Sequence, residues 1–343
     1  MLTPPEPHPL RHWIPYKLRL MEEQPVCRWL YLADEPLNAP FFDDTQQRCL
    51  SHPYNSQPLS VVSSLDGLID MAQTVPSVAP SAFIFHVSRC GSTLLSQLLS
   101  LDERHIVLSE VPLLDTLLRL TDRAKTGPEP QQEQAFQAVI QLLGQQRSGQ
   151  ETHVFIKTDS WHILAYETIR RLYPTTPFIL LYRSPDAVVR SQRNRRGMQA
   201  VPGMIQPEFF GFTPEEVAGV ELDAYMAAVL KRYFEEFLLV AEKDSNCLLI
   251  NYEADGMTMM DQLMQFLNLA PDEADYAAMK HRCGYHGKYP DQKFMGDEIE
   301  AALPDYLQPA MALYQQLEKK RQHLMNNALP RKKLTASGQL LPG

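Results

Sequence analysis

The chain has 343 residues, 44% of them hydrophobic and 21% charged, a balance that excludes a largely disordered, collagen-like or coiled-coil protein and allows for about two domains. Thirty-two basic against 41 acidic residues leave a net charge of −9. That argues against general affinity for nucleic acid or acidic lipid, so any anion site has to be local. Cys27, Cys49, Cys90, Cys247 and Cys283 are odd in number and lack ligand spacing. Neither a disulfide framework nor a zinc site is expected, and a reducing, cytoplasmic setting fits. Met1 to Leu10 holds four prolines and no apolar run, unlike a secretory signal. No stretch approaches the ~20 apolar residues of a membrane span.

Residues 1–80 carry 12 of the 27 prolines, with Trp13, Trp29, Phe41 and Phe42 among polar turns. They are expected to form an irregular flank that packs through its aromatics as scaffold or lid. From residue 82 short apolar runs alternate with helical-period stretches, which predicts an α/β fold with a mostly parallel sheet between helix layers. The expected strands are 82–87, 153–157, 178–182 and 247–252. The expected helices are 92–100, 111–122, 131–143, 161–172, 185–196, 221–243 and 258–269. The P-loop-type domain is placed at 81–325 and a tail at 326–343. Ligand crevices of such sheets lie at the carboxyl ends of the strands.

The first predicted strand ends in Ser88-Arg89-Cys90-Gly91-Ser92-Thr93 and enters an apolar helix. Gly91 permits close backbone approach, the helix start offers free N–H groups, Ser92 and Thr93 add hydroxyls, and Arg89 adds a permanent charge suited to two oxygens. Cys90 would have a lowered pKa if it faced the helix N-terminus. The plainer reading is a capped helix after a strand. This is not a GxxxxGK[ST] loop, and the strand 178–182 lacks the acidic end that holds magnesium in ordinary nucleotide hydrolases. Glu110 follows the first helix. The strand 153–157 ends in Lys157-Thr158-Asp159, with His162 beyond. After 178–182 comes Arg183-Ser184-Pro185, opening a helix that carries Ser191 about two turns on. Arg183 and Ser191 are candidates to grip a second phosphate.

Together these segments resemble the sulfotransferases that use 3′-phosphoadenosine-5′-phosphosulfate (PAPS). SRCGSTLL is similar to that family's 5′-phosphosulfate loop, RSPDAVVRS to its 3′-phosphate motif through Arg183 and Ser191, and Asn251-Tyr252-Glu253-Ala254-Asp255 to its YED segment. The likeness spans about residues 82–270. It implies a P-loop α/β/α fold, PAPS as co-substrate, release of 3′,5′-adenosine bisphosphate, and sulfonate transfer to a hydroxyl or amine. Arg89, Cys90, Gly91, Ser92, Thr93, Arg183 and Ser191 would bind the donor. Lys157 would stabilise charge on the sulfonate or leaving oxygen, and Arg89 would supply charge rather than a proton.

Glu110 stands where Golgi-type and many bacterial relatives carry a catalytic glutamate. Asp159 stands where cytosolic members have histidine after Lys-Thr. Glu110 is the expected base, with Asp159 and then His162 as alternatives. The plainer readings are a helix-end carboxylate for Glu110, a helix cap for Asp159 and a snorkelling lysine for Lys157. Arg282 and Lys288, in a segment only loosely like the family's late basic loop, are further candidates for the 3′-phosphate. Arg190, Arg193, Arg195 and Arg196 are expected as a solvated helix end, and residues 197–214 as a long loop near the crevice mouth. No metal is required by these residues. The acceptor, a small molecule or peptide, and the oligomeric state are not readable; neither nucleic acid nor membrane is an expected partner. A small-molecule kinase using ATP and Mg²⁺, or a nucleotide-binding protein without turnover, is the competing reading.

Overall fold

The computed structural model describes residues 8–22, 24–57, 60–123, 130–252, 256–285 and 303–328. The flank is more regular than its prolines predict. β1 (Trp13–Met21) and β2 (Gln24–Tyr31) form an antiparallel pair; after α1 (Phe42–Leu50), β3 (Val62–Ser64) adds to β2 and leads into α2 (Leu65–Thr74). Proline is accommodated because Pro15 lies at a register shift and Pro25 near a strand end. Of the flank's aromatics Trp29 and Phe42 are buried, with Ile14 and Leu68, in the same hydrophobic core as the rest of the chain, while Trp13 and Phe41 are partly exposed.

The second sheet opens with β4 (Pro80–His86). α3 (Ser92–Leu99), β5 (His105–Ser109), α4 (Pro112–Arg123) and α5 (Pro130–Leu143) follow, then β6 (His153–Lys157) and α6 (Tyr166–Leu172). β7 (Phe178–Tyr182), α7 (Pro185–Asn194), the one-turn α8 (Pro214–Val217), α9 (Leu222–Lys243), β8 (Cys247–Asn251), α10 (Gly256–Leu267), α11 (Glu273–Arg282) and α12 (Gln308–Ala328) complete the order. The five strands run in the order β5-β6-β4-β7-β8, all parallel. Central β4 is apolar on both faces, with Ala82 to Phe85 fully buried, as a strand covered by helices on both sides must be.

Several expected boundaries move for local reasons. The helix expected from Trp161 begins instead as a 3-10 turn over Ser160–Ala165. There His162 Nδ1 accepts from the Asp159 amide at 3.2 Å, while Asp115 Oδ1 accepts from Trp161 Nε1 at 2.7 Å, so side chains hold the tight turn. α7 stops at Asn194 because Arg195 is extended. α10 ends before the left-handed Asn268 (φ 54°), a common way to terminate a helix. The edge strand β5 was not anticipated. Residues 197–214 do not form a free loop: two 3-10 turns carry Phe210 into full burial, where Arg232 Nε donates to its carbonyl at 3.0 Å.

Candidate active site

The strand carboxyl ends bring the predicted clusters together. Between β4 and α3 the chain turns through three left-handed residues, Ser88 (φ 65°), Arg89 (φ 53°) and Gly91 (φ 81°). This curls the backbone into the kind of concavity where N–H groups collect an anion at a helix start. Only Gly91 among them is free of a Cβ penalty. A Cβ there would also lie 2.5 Å from the Tyr252 ring, so the aromatic sits directly on the loop. The Arg183 guanidinium lies 5.8 Å from the centre of the same ring. Arg89 Nε donates to Ser191 Oγ, and its terminal nitrogen to the Ser191 carbonyl, both at 2.8 Å. Residues proposed for the two ends of one donor are thus in direct contact.

Ser92 and Thr93 are buried at the first turn of α3. Cys90 is fully buried, with its thiol on the Leu181 carbonyl at 3.4 Å; burial pushes its pKa up to about 12, opposite to the lowered value expected of a thiol at the helix mouth. It fills core space rather than facing an anion.

Glu110 occupies the corner between β5 and α4. Its amide continues the sheet ladder by donating to the Lys157 carbonyl at 2.8 Å, and its own φ is +53°. Such a conformation costs a non-glycine residue about 1–3 kcal/mol and is retained where surrounding structure enforces it. It delivers the carboxylate onto Lys157 Nζ at 2.6 Å, with His86 Nε2 at 3.5 Å. Lys157 is fully buried, and its ammonium also lies 4.9 Å from the centre of the Phe41 ring, contributed by the flank. Burial opposes ionisation of Glu110, but the Lys157 charge and the His86 hydrogen bond outweigh it and hold the carboxyl below its usual range.

Asp159 is driven the other way. Burial first, with the Glu110 and Asp115 charges assisting, raises it to about 7 against the opposing His162 and Lys157. His162 cannot act as a base in this arrangement: Nδ1 accepts the Asp159 amide, so Nε2 keeps the proton and donates to Asp115 Oδ1 at 3.0 Å. Asp115, Asp159 and His162 have metal-like spacing. Asp115 is nevertheless taken up by Trp161, His162 and Arg119 (2.6 Å), a closed internal network.

Arg282 bonds to Gln97 of α3 and to the Tyr285 carbonyl; Lys288 lies outside the described residues, as do Glu253 and Asp255. The basic run is only in part a solvated helix end, since Arg193 and Arg195 are exposed but Arg190, Arg193 and Arg196 are paired. Arg190 pairs with Asp186, and Arg193 and Arg196 both pair with buried Asp223, each at 2.6 Å, clamping α7 to the start of α9. Three contributors went unrecognised in the sequence: His86, Phe41, and Gln192, whose amide donates to Ser88 Oγ at 3.2 Å. The sequence marks Tyr252 only as part of the YED-like segment.

A family model described as "Sulfotransferase family" matches residues 80–273, more than half of the chain. The chain belongs to the sulfotransferase family. Its chemistry is therefore sulfonate transfer, and the matched span runs from β4 to the start of α11. Among solved structures the chain is similar to sulfotransferase STF9 from Mycobacterium avium, at 14% identity over 80% of this chain and 83% of that one, TM-score 0.44. It is also similar to a sulfotransferase from Alicyclobacillus acidocaldarius, at 16% identity over 74% and 98%, TM-score 0.39. A third is mouse sulfotransferase SULT7A1 complexed with PAP, at 11% identity over 79% and 94%, TM-score 0.37. Likenesses this distant support no residue assignment. A search of curated proteins gives no match. Among the described residues, no helix is long and apolar enough to cross a membrane.

Proposed function

We propose that this sulfotransferase takes the sulfonate from PAPS and passes it to a hydroxyl or amine of an acceptor, releasing 3′,5′-adenosine bisphosphate. Residues 88–93 would cradle the 5′ end, with Arg183 and Ser191 on the 3′-phosphate and Glu110 as the base. The observation that carries the reading is the Glu110–Lys157 pair at 2.6 Å, set at the carboxyl edge of the sheet beside the curled loop. A carboxylate held on a buried ammonium is ionised but weakly basic. Once the ammonium turns to an incoming sulfonate, that hold relaxes and the burial acting on Glu110 makes its carboxylate a stronger base. Lys157 would then balance charge developing on the transferring group.

Calorimetry tests the donor assignment. Wild-type protein should bind 3′,5′-adenosine bisphosphate with about micromolar affinity, and Arg183→Ala should lose at least about tenfold by removing a charge-assisted contact. Equal or better binding of ATP, strengthened by Mg²⁺ and indifferent to Arg183→Ala, would overturn the reading. The base is tested by pH once an acceptor is in hand. The acid limb of kcat/KM reports groups of the free enzyme, so Glu110 predicts activity retained well below neutrality. A limb near pH 7 would transfer the role to Asp159, whose carboxyl lies at about 7.

A further inference from the structure

We propose that His86 is a positioning residue that sets the phosphate loop with one ring nitrogen and the Glu110 carboxylate with the other. It is the last residue of β4, its ring almost completely buried. The Ser88 amide approaches Nδ1 at 3.1 Å, and the Thr158 carbonyl approaches Nε2 at 2.9 Å. An amide only donates and a carbonyl only accepts, so Nδ1 must be bare and Nε2 must carry the proton. Glu110 Oε1, 3.5 Å from that same Nε2, is the second oxygen within its reach.

Both nitrogens are therefore committed in opposite senses. An imidazolium would forfeit the Ser88 bond, and burial together with nearby Lys157 favours the neutral ring. The residues it touches directly at each end, Ser88 and Glu110, are both held in left-handed backbone conformations. Strain of that kind persists where surroundings over-determine it. One rigid five-membered ring thus spans from the loop's first turn to the base, fixing their separation. Phenylalanine would fill the space and fix neither.

This inference rests on the reading of residues 88–93 as the donor loop and of Glu110 as the base. Two conservative variants separate the two bonds, because asparagine places its amide near the imidazole Nδ1 and glutamine places its amide near Nε2. Each variant, shown to be folded by thermal unfolding, would be titrated with 3′,5′-adenosine bisphosphate. The Glu110 carboxyl would be followed against pH by carbon NMR, its signal assigned by loss in Glu110→Gln. His86→Asn should keep binding within about twofold of wild type while its Glu110 midpoint rises, since a donor to the carboxylate is gone. His86→Gln should keep the midpoint and weaken binding by about tenfold, the worth of one lost loop hydrogen bond. Variants that move both properties together, or neither, would overturn the proposal. If neither variant folds, nitrogen NMR of the wild-type ring decides. A proton on Nε2 supports the proposal; a proton on Nδ1, or an imidazolium at neutral pH, overturns it. Wild-type protein that fails to bind the bisphosphate would sink the donor reading, while the ring tautomer and the Glu110 titration would still judge His86.

Discussion

The two ends of the parallel sheet treat charge in opposite ways. At the amino end the prominent charges among the described residues are paired. Arg170 donates to Asp244 at 2.8 and 2.5 Å, to the carbonyls of Tyr173 and Thr176, and lies 3.5 Å from the centre of the Phe178 ring. Glu151 accepts from three successive amides, those of Arg147, Ser148 and Gly149. Arg104 holds the Asp102 carboxyl down to about 2. At the carboxyl end the Glu110 charge opposes ionisation of Asp159, and buried Lys157 favours the charged form of both. Left-handed non-glycine residues also concentrate there, at Ser88, Arg89 and Glu110. One end pairs its charges, and the other tolerates strain and like charges where the proposed reaction centre lies.

Substitutions at the two ends should therefore fail in different measurements. The largest effect is expected from Glu110→Gln, which should lower kcat by at least about 100-fold by deleting the proposed base while leaving bisphosphate binding nearly intact. Full turnover in that variant would break the contrast. At the other end, Arg170→Ala should cost about 2 kcal/mol of unfolding free energy by removing charge-assisted bonds to the part-buried Asp244 carboxylate, with kcat per folded molecule unchanged. Denaturant melts alongside kinetics read both quantities. The smallest effect sharpens the contrast by its sign. The Asp159 carboxyl is raised in the fold, so the folded state binds the proton more tightly than the unfolded chain. That contribution is fully present below the ordinary carboxyl range and is lost as pH rises through about 7. Asp159→Asn should then raise the melting temperature more at pH 8 than at pH 5. An equal shift at both would mean that Asp159 is not unusually hard to ionise.

The core strands were legible because central parallel strands are continuous apolar runs: His153–Lys157 and Phe178–Tyr182 emerge with the boundaries read from the sequence. β5 has the same length as His153–Lys157 and also opens with a histidine; it differs in lying at the sheet edge, and the sequence pattern did not separate it from the connection between two helices. The flank's sheet escaped because Pro15 and Pro25 signal breaks, although edge positions and register shifts accept proline. In the site, motif spacing located the loop, Arg183, Ser191, Glu110 and Lys157. It could not reveal His86, which in sequence is simply a histidine closing an apolar strand. Nor could it reveal Phe41, whose partner lies more than a hundred residues away. The pairing of Arg193 and Arg196 with Asp223 was equally hidden, since charges read along the chain carry no information about partners across it.

The matched family span begins at residue 80, but the molecule's structural unit does not. The Leu37 carbonyl accepts the Val107 amide of edge strand β5 at 3.1 Å, and Phe41 covers Lys157. A fragment trimmed to the family boundary would keep every proposed donor-binding residue within the matched span. It would also leave a bare strand margin, a ready template for self-association, and uncover the Lys157 ammonium of the proposed reaction centre. For anyone expressing or engineering this protein, the segment around Leu37 and Phe41 is therefore the seam that closes the sheet, and trimming the chain back to residue 80 should produce insolubility before it produces a smaller enzyme.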